Sequence, residues 1–321
     1  MHWPSLTAAL LTLVTSVHAV VGPGVVTGDT SIHDPTLCKD NAGTYYLLGT
    51  AAGIDIKTSK DRTNWTYLGK MFPNGASWTD KYTGKANGDI WAPDCTYING
   101  VFWVYYSASS FGSQNSAVFL SKSTTGQPGS WSNEGLIIST TSSNDYNAID
   151  PNLFIDGSNW YLSLGSWWTG IKLLSLNPST GKASSTSLTS LASHNNGIEA
   201  SNIFKYGSYY YLFTSWDQCC NGVSSTYNIR VGRSSKVNGP YVDKSGVALT
   251  SAGGTLLLGT HDKIYGPGGQ DLMTDGDGPI LIYHYYTTGL PQLGINRLDF
   301  SSGWPYAYRS LCEANISYPA P

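Results

Sequence analysis

Ala148-Ile149-Asp150-Pro151-Asn152 leads into Trp160-Tyr161-Leu162-Ser163-Leu164 and then into Ile171-Lys172-Leu173-Leu174. A short acidic motif, an aromatic strand and a second apolar strand thus follow one another. The same order recurs along the chain. His33-Asp34-Pro35 precedes Thr44-Tyr45-Tyr46-Leu47-Leu48, and Ala92-Pro93-Asp94 precedes Val101-Phe102-Trp103-Val104-Tyr105. Ile198-Glu199-Ala200 precedes Tyr209-Tyr210-Tyr211-Leu212-Phe213, and Gly266-Pro267-Gly268-Gly269 precedes Ile280-Leu281-Ile282-Tyr283. The motifs start near residues 33, 92, 149, 198 and 266, at spacings of 49 to 68 residues, wide enough for four short strands per unit. Short β-branched or aromatic segments between Gly, Asn, Asp and Pro turns read as strands. No stretch carries the 3.6-residue period of a helix. Repetition of short strands in even sets predicts an all-β, five-bladed β-propeller, one sheet per blade. A β-sandwich accounts for alternating strands but not for their five-fold recurrence.

The rest of the composition agrees. The chain has 321 residues, of which 12% are charged, against about 25% in an ordinary soluble domain. Its net charge of -3 contains no block of like charges, which argues against nucleic acid or an anionic membrane as partner. A hydrophobic fraction of 40% excludes disorder. Residues 1–19 carry no Lys, Arg, Asp or Glu, hold the apolar stretch Leu6 to Val14 and end in Val17-His18-Ala19. They read as a secretory signal peptide, so residues 20–321 are expected to form a single propeller, secreted and monomeric. Five cysteines, Cys38, Cys95, Cys219, Cys220 and Cys312, allow two bridges and a spare thiol. Adjacent Cys219 and Cys220 read either as a vicinal disulfide or as one buried thiol and one paired elsewhere. Cys38 and Cys312 sit near opposite ends, which a propeller brings together, and are either a pair or two separate buried thiols. Asn64-Trp65-Thr66 and Asn315-Ile316-Ser317 are glycosylation sequons.

In a propeller the innermost strands surround a central channel. Motifs at their starts bring Asp34, Asp94, Asp150 and Glu199 to one mouth of it. A lone Asp-Pro is a turn signal; acids in four repeats, one of them Glu, ask for more. Glutamate is scarce, with only Glu134, Glu199 and Glu313, and Glu199 alone sits in an apolar strand context. A buried carboxyl stays protonated and serves as a general acid. Asp34 is then the base and Asp150 the neighbour that tunes Glu199. Two carboxylates flanking a bond are the equipment of glycoside hydrolysis. Trp91, Trp167, Trp168, Trp216 and Tyr286 lie near motif or strand ends, where flat rings cover the apolar faces of sugars. His33 precedes the base and is given no chemical role.

These strings carry a resemblance. His33-Asp34-Pro35, Ser59-Lys60-Asp61 with Asn64-Trp65, Trp91-Ala92-Pro93-Asp94, Ala148 to Asn152, Gly165-Ser166-Trp167-Trp168, Gly197 to Ala200 and Tyr283-His284 cover nearly all of the mature chain in an order similar to glycoside hydrolase family 43. The stretch Trp216 to Gly222 around the cysteine pair is similar too. The resemblance implies a five-bladed propeller and endo-acting, inverting hydrolysis of internal α-1,5-L-arabinofuranosidic bonds in arabinan. It implies Asp34 as general base, Asp150 as pKa modulator and Glu199 as general acid. Candidate substrate contacts are Trp91, Asp94, Asn147, Ser166 and Trp168. The position matching His284 helps bind a metal, usually calcium, through waters; no organic cofactor is implied. An exo-acting arabinofuranosidase or β-xylosidase of the same family is the alternative. A non-catalytic sugar-binding propeller would repeat its binding residues in each blade, whereas here the acids differ.

Overall fold

The computed structural model describes residues 22–309, apart from residue 85 and residues 87–89. The expected signal segment 1–19, Cys312 and the Asn315 sequon lie outside the described residues; Asn64 lies inside them and is exposed. The strands form five sheets, each with four antiparallel strands in sequence order from the axis outward, and the first carries an added parallel strand at its outer edge. Blade 1 is built from Thr36–Lys39, Tyr45–Gly49, Asp55–Ser59 and Asn64–Lys70. Blade 2 contains Ile90–Ile98, Val101–Ala108, Ser116–Ser123 and Ser132–Thr140; blade 3, Asn152–Asp156, Asn159–Leu164, Ile171–Asn177 and Lys182–Ala192. Blade 4 contains Ile198–Tyr206, Tyr209–Trp216, Asn228–Ser234 and Thr255–Leu258; blade 5, Tyr265–Asp275, Gly278–Tyr286, Gln292–Asp299 and Tyr306–Arg309. The innermost strands touch one another around the axis. The fold is the expected five-bladed propeller. No helix among the described residues is long and apolar enough to cross a membrane.

Each sheet is covered on both faces, which explains runs such as Tyr45 to Leu48 in which every residue is buried. Successive strand residues point to opposite faces. Leu47 therefore packs against Ile280 and Ile282 of blade 5, while Leu48 packs toward Phe102 and Val104 of blade 2. Tyr105 and Tyr106 divide in the same way between the seams with blades 3 and 1. So do Leu212 and Phe213 of blade 4, between the seams with blades 3 and 5. One apolar cluster thus fills each seam, and burying one such side chain contributes about 1.5–3 kcal/mol.

Polar contacts set the angle between blades. Along the innermost strands, Thr36, Asp94, Asn152 and Asp271 each use a side-chain oxygen to accept a backbone N–H from the next blade. The donors are Cys95 (2.9 Å), Leu153 (2.8 Å), Ile203 (3.0 Å) and Leu37 (2.9 Å). At two seams an aspartate at the far end of the innermost strand is clamped by the next blade. Asp156 accepts from Lys205 and Tyr210, and Asp275 from Lys39 and Tyr45. The ring closes through the N-terminal segment: Gly24 donates to Ile295 and Leu293 donates to Thr30, before Thr27–Gly28 joins the outer strand of blade 1.

The disulfides correct one expectation and bear out another. Cys38 is bonded to Cys95, not to Cys312. Both lie on neighbouring innermost strands with Cα atoms 5.7 Å apart, within the span a disulfide bridges. Cys219 and Cys220 form the vicinal pair.

Candidate active site

The innermost strands enter the axis through a shared kink. Asp34, Ala92, Asp150, Ala200 and Gly269 occupy equivalent positions, and all have φ between 42° and 58°. That region is uncommon for residues other than glycine and is tolerated where surrounding contacts enforce it. Here the enforcing contact is a hydrogen bond from each kinked residue's N–H to the preceding blade. Ala92 donates to Thr50 Oγ1 (2.8 Å), Asp150 to Ser107 Oγ (2.9 Å) and Ala200 to Asp150 Oδ2 (3.0 Å). Gly269 donates to Ser215 Oγ (3.0 Å), and Asp34 to His284 Nδ1 (3.1 Å). Gly269 tolerates no side chain, because a Cβ there would lie 2.6 Å from Asp34 Oδ1.

This register corrects the reading of four matched acids. Asp34 and Asp150 are equivalent, Glu199 stands one residue before the kink, and Asp94 two residues after it. Asp94 is therefore not at the mouth. It is buried lower in the channel, bonded to Asn152 Nδ2 and the Leu153 N–H, and it locks blades 2 and 3 together. Asn147 is also buried, with its Oδ1 accepting from Ser116. Ser166 does reach the site, where its hydroxyl donates to Glu199 Oε2 at 2.7 Å. Of the aromatic candidates, Trp216 and Tyr286 are core residues. Trp91 is half-buried, while Trp167 and Trp168 are 37% and 47% exposed. Trp167 is seated against Gly197, where a Cβ would come within 2.7 Å of its ring.

The three carboxyls are held in different states. Burial would raise Asp34, but the His33 ring beside it and the hydrogen bond from Thr50 outweigh it and hold the group well below the usual carboxylate range. Its Oδ2 lies 2.9 Å from His33 Nδ1 and 2.6 Å from Thr50 Oγ1. Burial pushes Glu199 up, against hydrogen bonds from Ser166 and Tyr227 and with help from the charge of Asp34. Burial and the charges of Glu199 and Asp34 push Asp150 up as well. Two raised carboxyls facing one another share a proton, and the donors decide which keeps it. Asp150 Oδ2 accepts a backbone N–H, which only donates and so favours the ionised form. Glu199 faces two hydroxyls, Ser166 and Tyr227 (2.8 Å), which can turn to accept from a protonated carboxyl. Glu199 is thus the carboxyl of the pair whose partners can accommodate the proton.

Sequence reasoning missed Tyr227, Thr50 and the polar part of Tyr286. The Tyr286 hydroxyl contacts His33 Nε2, His284 Nε2 and the Cys220 N–H. The signal for Thr50 and Tyr227 was their place at the ends of strands facing the channel; nothing in their type marks them.

The expected metal at His284 meets an unsuitable donor set. His33, Asp34 and His284 bring ligand atoms within 4.8 Å of one another. Burial keeps the His284 ring neutral, but its Nδ1 is used by the Asp34 N–H and its Nε2 faces Tyr286. The ring offers an ion no lone pair, and calcium prefers six to eight oxygens.

One buried carboxyl held low and others pushed up, beside exposed tryptophans in a five-bladed propeller, suit the breaking of a glycosidic bond. Known proteins lead to the same place. The extracellular endo-α-(1→5)-L-arabinanase 1 of Bacillus subtilis is 45% identical over 285 residues, covering 85% of this chain and 87% of its own length. A probable arabinan endo-1,5-α-L-arabinosidase A of Aspergillus flavus is 40% identical over 321 residues, covering 95% and 99%. The solved endo-arabinanase of Bacillus licheniformis superposes with a TM-score of 0.83 at 44% identity, covering 88% of this chain and 99% of that one. The sequence pattern of glycosyl hydrolases family 43 matches residues 25–305, and with the propeller, the carboxyls and these relatives in agreement, the chain belongs to that family.

Proposed function

We propose that the chain is a secreted, monomeric endo-arabinanase that hydrolyses internal α-1,5-L-arabinofuranosidic bonds of plant cell-wall arabinan with inversion. The observation that carries the reading is the opposed state of the carboxyls: Asp34 held ionised by His33 and Thr50, Glu199 held protonated by burial. Asp34 takes a proton from water as the water oxygen attacks the anomeric carbon. Glu199 gives its proton to the departing glycosidic oxygen, so one C–O bond forms as the other breaks and no sugar–enzyme bond arises. Asp150 accepts the N–H of Ala200, the residue after Glu199, and so fixes the acid's backbone while its charge favours the protonated acid. Trp91 and Trp168 are the rings placed to cover furanose faces. Two disulfides and the extracellular relative support secretion. No step requires a metal.

The test is linear arabinan. A ladder of oligosaccharides early in the digest supports endo action; release of one short product alone supports the exo alternative. Proton NMR of the first-formed anomer should show inversion, and a retained anomer overturns the mechanism. Asp34→Ala and Glu199→Ala should each lose about 10²–10⁴-fold or more in turnover while staying folded.

A further inference from the structure

Of the two disulfides, only one ties distant parts of the chain. Cys38–Cys95 is buried and joins two blades at a sequence separation of 57. Cys219–Cys220 joins residues that a peptide bond already joins. The stabilising effect of a disulfide grows with the loop it closes in the unfolded chain, and here there is no loop to close. The pair also faces solvent, with Cys220 exposed and Cys219 half-buried. A bond that holds nothing distant together and lies on the surface calls for a local task.

Its place is set by the strands that carry the site. The loop 217–227 leaves the strand Tyr209–Trp216 beside Ser215, which pairs with Glu199, and returns through Tyr227, whose hydroxyl donates to Glu199. The neck of the loop is closed: the Gln218 N–H donates to Thr226 Oγ1 at 3.2 Å, and the Thr226 N–H to the Gln218 carbonyl at 3.0 Å. Its tip is pinned too, since the Asn221 N–H donates to Ser225 Oγ and the Cys220 N–H to Tyr286 Oη. Cys220 Sγ thereby comes to 3.8 Å from His33 Nε2, and Nδ1 of that ring lies 2.9 Å from Asp34 Oδ2. The disulfide thus stands between the blade that carries Glu199 and the histidine beside Asp34.

A furanose ring needs apolar surface to cover its C–H groups. Trp91 and Trp168 offer it from blades 2 and 3. On the side of blades 4 and 5, the rings at the site are Tyr227 and Tyr286, and both are buried. The exposed sulfur there takes their place. Divalent sulfur is soft and polarisable and bonds water only weakly. Two side chains bonded to each other have little rotamer freedom left to lose when a ligand settles on them.

We propose that the Cys219–Cys220 disulfide is a substrate-binding surface, a rigid platform on which one furanose ring of arabinan rests beside Asp34. This builds on the reading of the chain as an arabinanase. The direct test uses Glu199→Gln, expected to hold arabinohexaose without cleaving it, with saturation confirmed by calorimetry. Dithiothreitol, followed by alkylation and mass spectrometry, gives the rate at which the pair is reduced. Bound arabinohexaose should slow that rate about threefold or more, because a covered disulfide is withdrawn from attack by mass action. An unchanged rate with the sugar bound overturns the proposal.

The kinetic test uses linear arabinan. Cys219→Ser/Cys220→Ser should raise KM about 3–10-fold with the loss carried by KM, the signature of a contact made equally with substrate and transition state. Its Tm should fall by no more than about 2 °C, and both limbs of the pH profile should stay in place. Cys219→Ala/Cys220→Met, which returns an apolar sulfur, should recover part of the KM. A loss carried by kcat, or displaced pH limbs, would show a mere prop for His33 and Tyr286 and overturn the proposal. A double serine variant equal to an active wild type overturns the platform alone. A wild type that neither cleaves nor binds arabino-oligosaccharides overturns the functional reading and the platform with it.

Discussion

Replacing Tyr227 by Phe removes one hydroxyl from the acid and little else. The ring is buried and remains; Glu199 Oε1 loses the donor it holds at 2.8 Å. A hydrogen bond to a charged group contributes about 1.5–3 kcal/mol, and about 1.4 kcal/mol corresponds to one pKa unit. If the hydroxyl served only the ionised carboxylate, its loss would raise Glu199 by about 1–2 units. A protonated Glu199 can still donate to the Tyr227 oxygen, which recovers part of that, so a rise of about one unit is expected. The direction follows from the donor: Tyr227 favours the ionised acid, and without it the proton is held to higher pH. The assay is kcat/KM on linear arabinan across pH 4–9, where the alkaline limb reports the acid of the free enzyme. The limb should move up in Tyr227→Phe, and also in Ser166→Ala, which bares the other oxygen. A stationary limb in both folded variants, or one moved toward acid, would show that Glu199 does not set it.

Asp150→Asn should move the same limb the other way, because the charge that favours protonated Glu199 is gone; an unmoved limb in an active variant counts against the tuning role. Asp94 is pushed up to about 8 by burial and by the charge of Asp271. A carboxyl with a raised folded pKa supports folding fully below its unfolded pKa near 4, and that support is lost as pH rises toward 8. Asp94→Asn should therefore flatten the fall of Tm between pH 5 and 8 by a few degrees. Parallel melting curves in the two proteins would refute it. Chelation should leave arabinan turnover within about twofold, since His284 has no lone pair to give; loss restored by calcium would show the donor count there to be wrong.

The propeller was legible because its signal is redundant. Tyr45 to Leu48, Val101 to Tyr105 and Tyr209 to Phe213 repeat one strand in a fixed order, and seams on both faces of every sheet explain why those runs are apolar throughout. Asp34, Asp150 and Glu199 were legible as acids in apolar motifs, and the structure gathers them. Their register was not. The offset of Glu199 and Asp94 from Asp34 depends on which residue takes the left-handed kink, and that is set by cross-blade donors such as Ala92 N–H to Thr50. Alignment on acidity alone put Asp94 at the mouth, although its position belongs with Thr36, Asn152 and Asp271. The Cys38–Cys95 pairing was equally hidden, because distance between innermost strands is a property of the ring, not of spacing along the chain.

The five kinked residues act as identical sockets. Each presents one side chain from a backbone already bent to receive it, and only the first and third, Asp34 and Asp150, are fitted with a carboxyl. Ala92 and Ala200 leave theirs almost bare. Gly269 cannot be filled, because Asp34 and His284 occupy the space its Cβ would need. Chemistry can thus be exchanged at these sockets without rebuilding the scaffold, as long as the hydrogen bond that enforces each bend is kept. An acid introduced at Ala92 would arrive between the two existing ones, on the blade that separates them. The same symmetry that makes the fold easy to recognise therefore gives its active site a small, enumerable set of alternative forms.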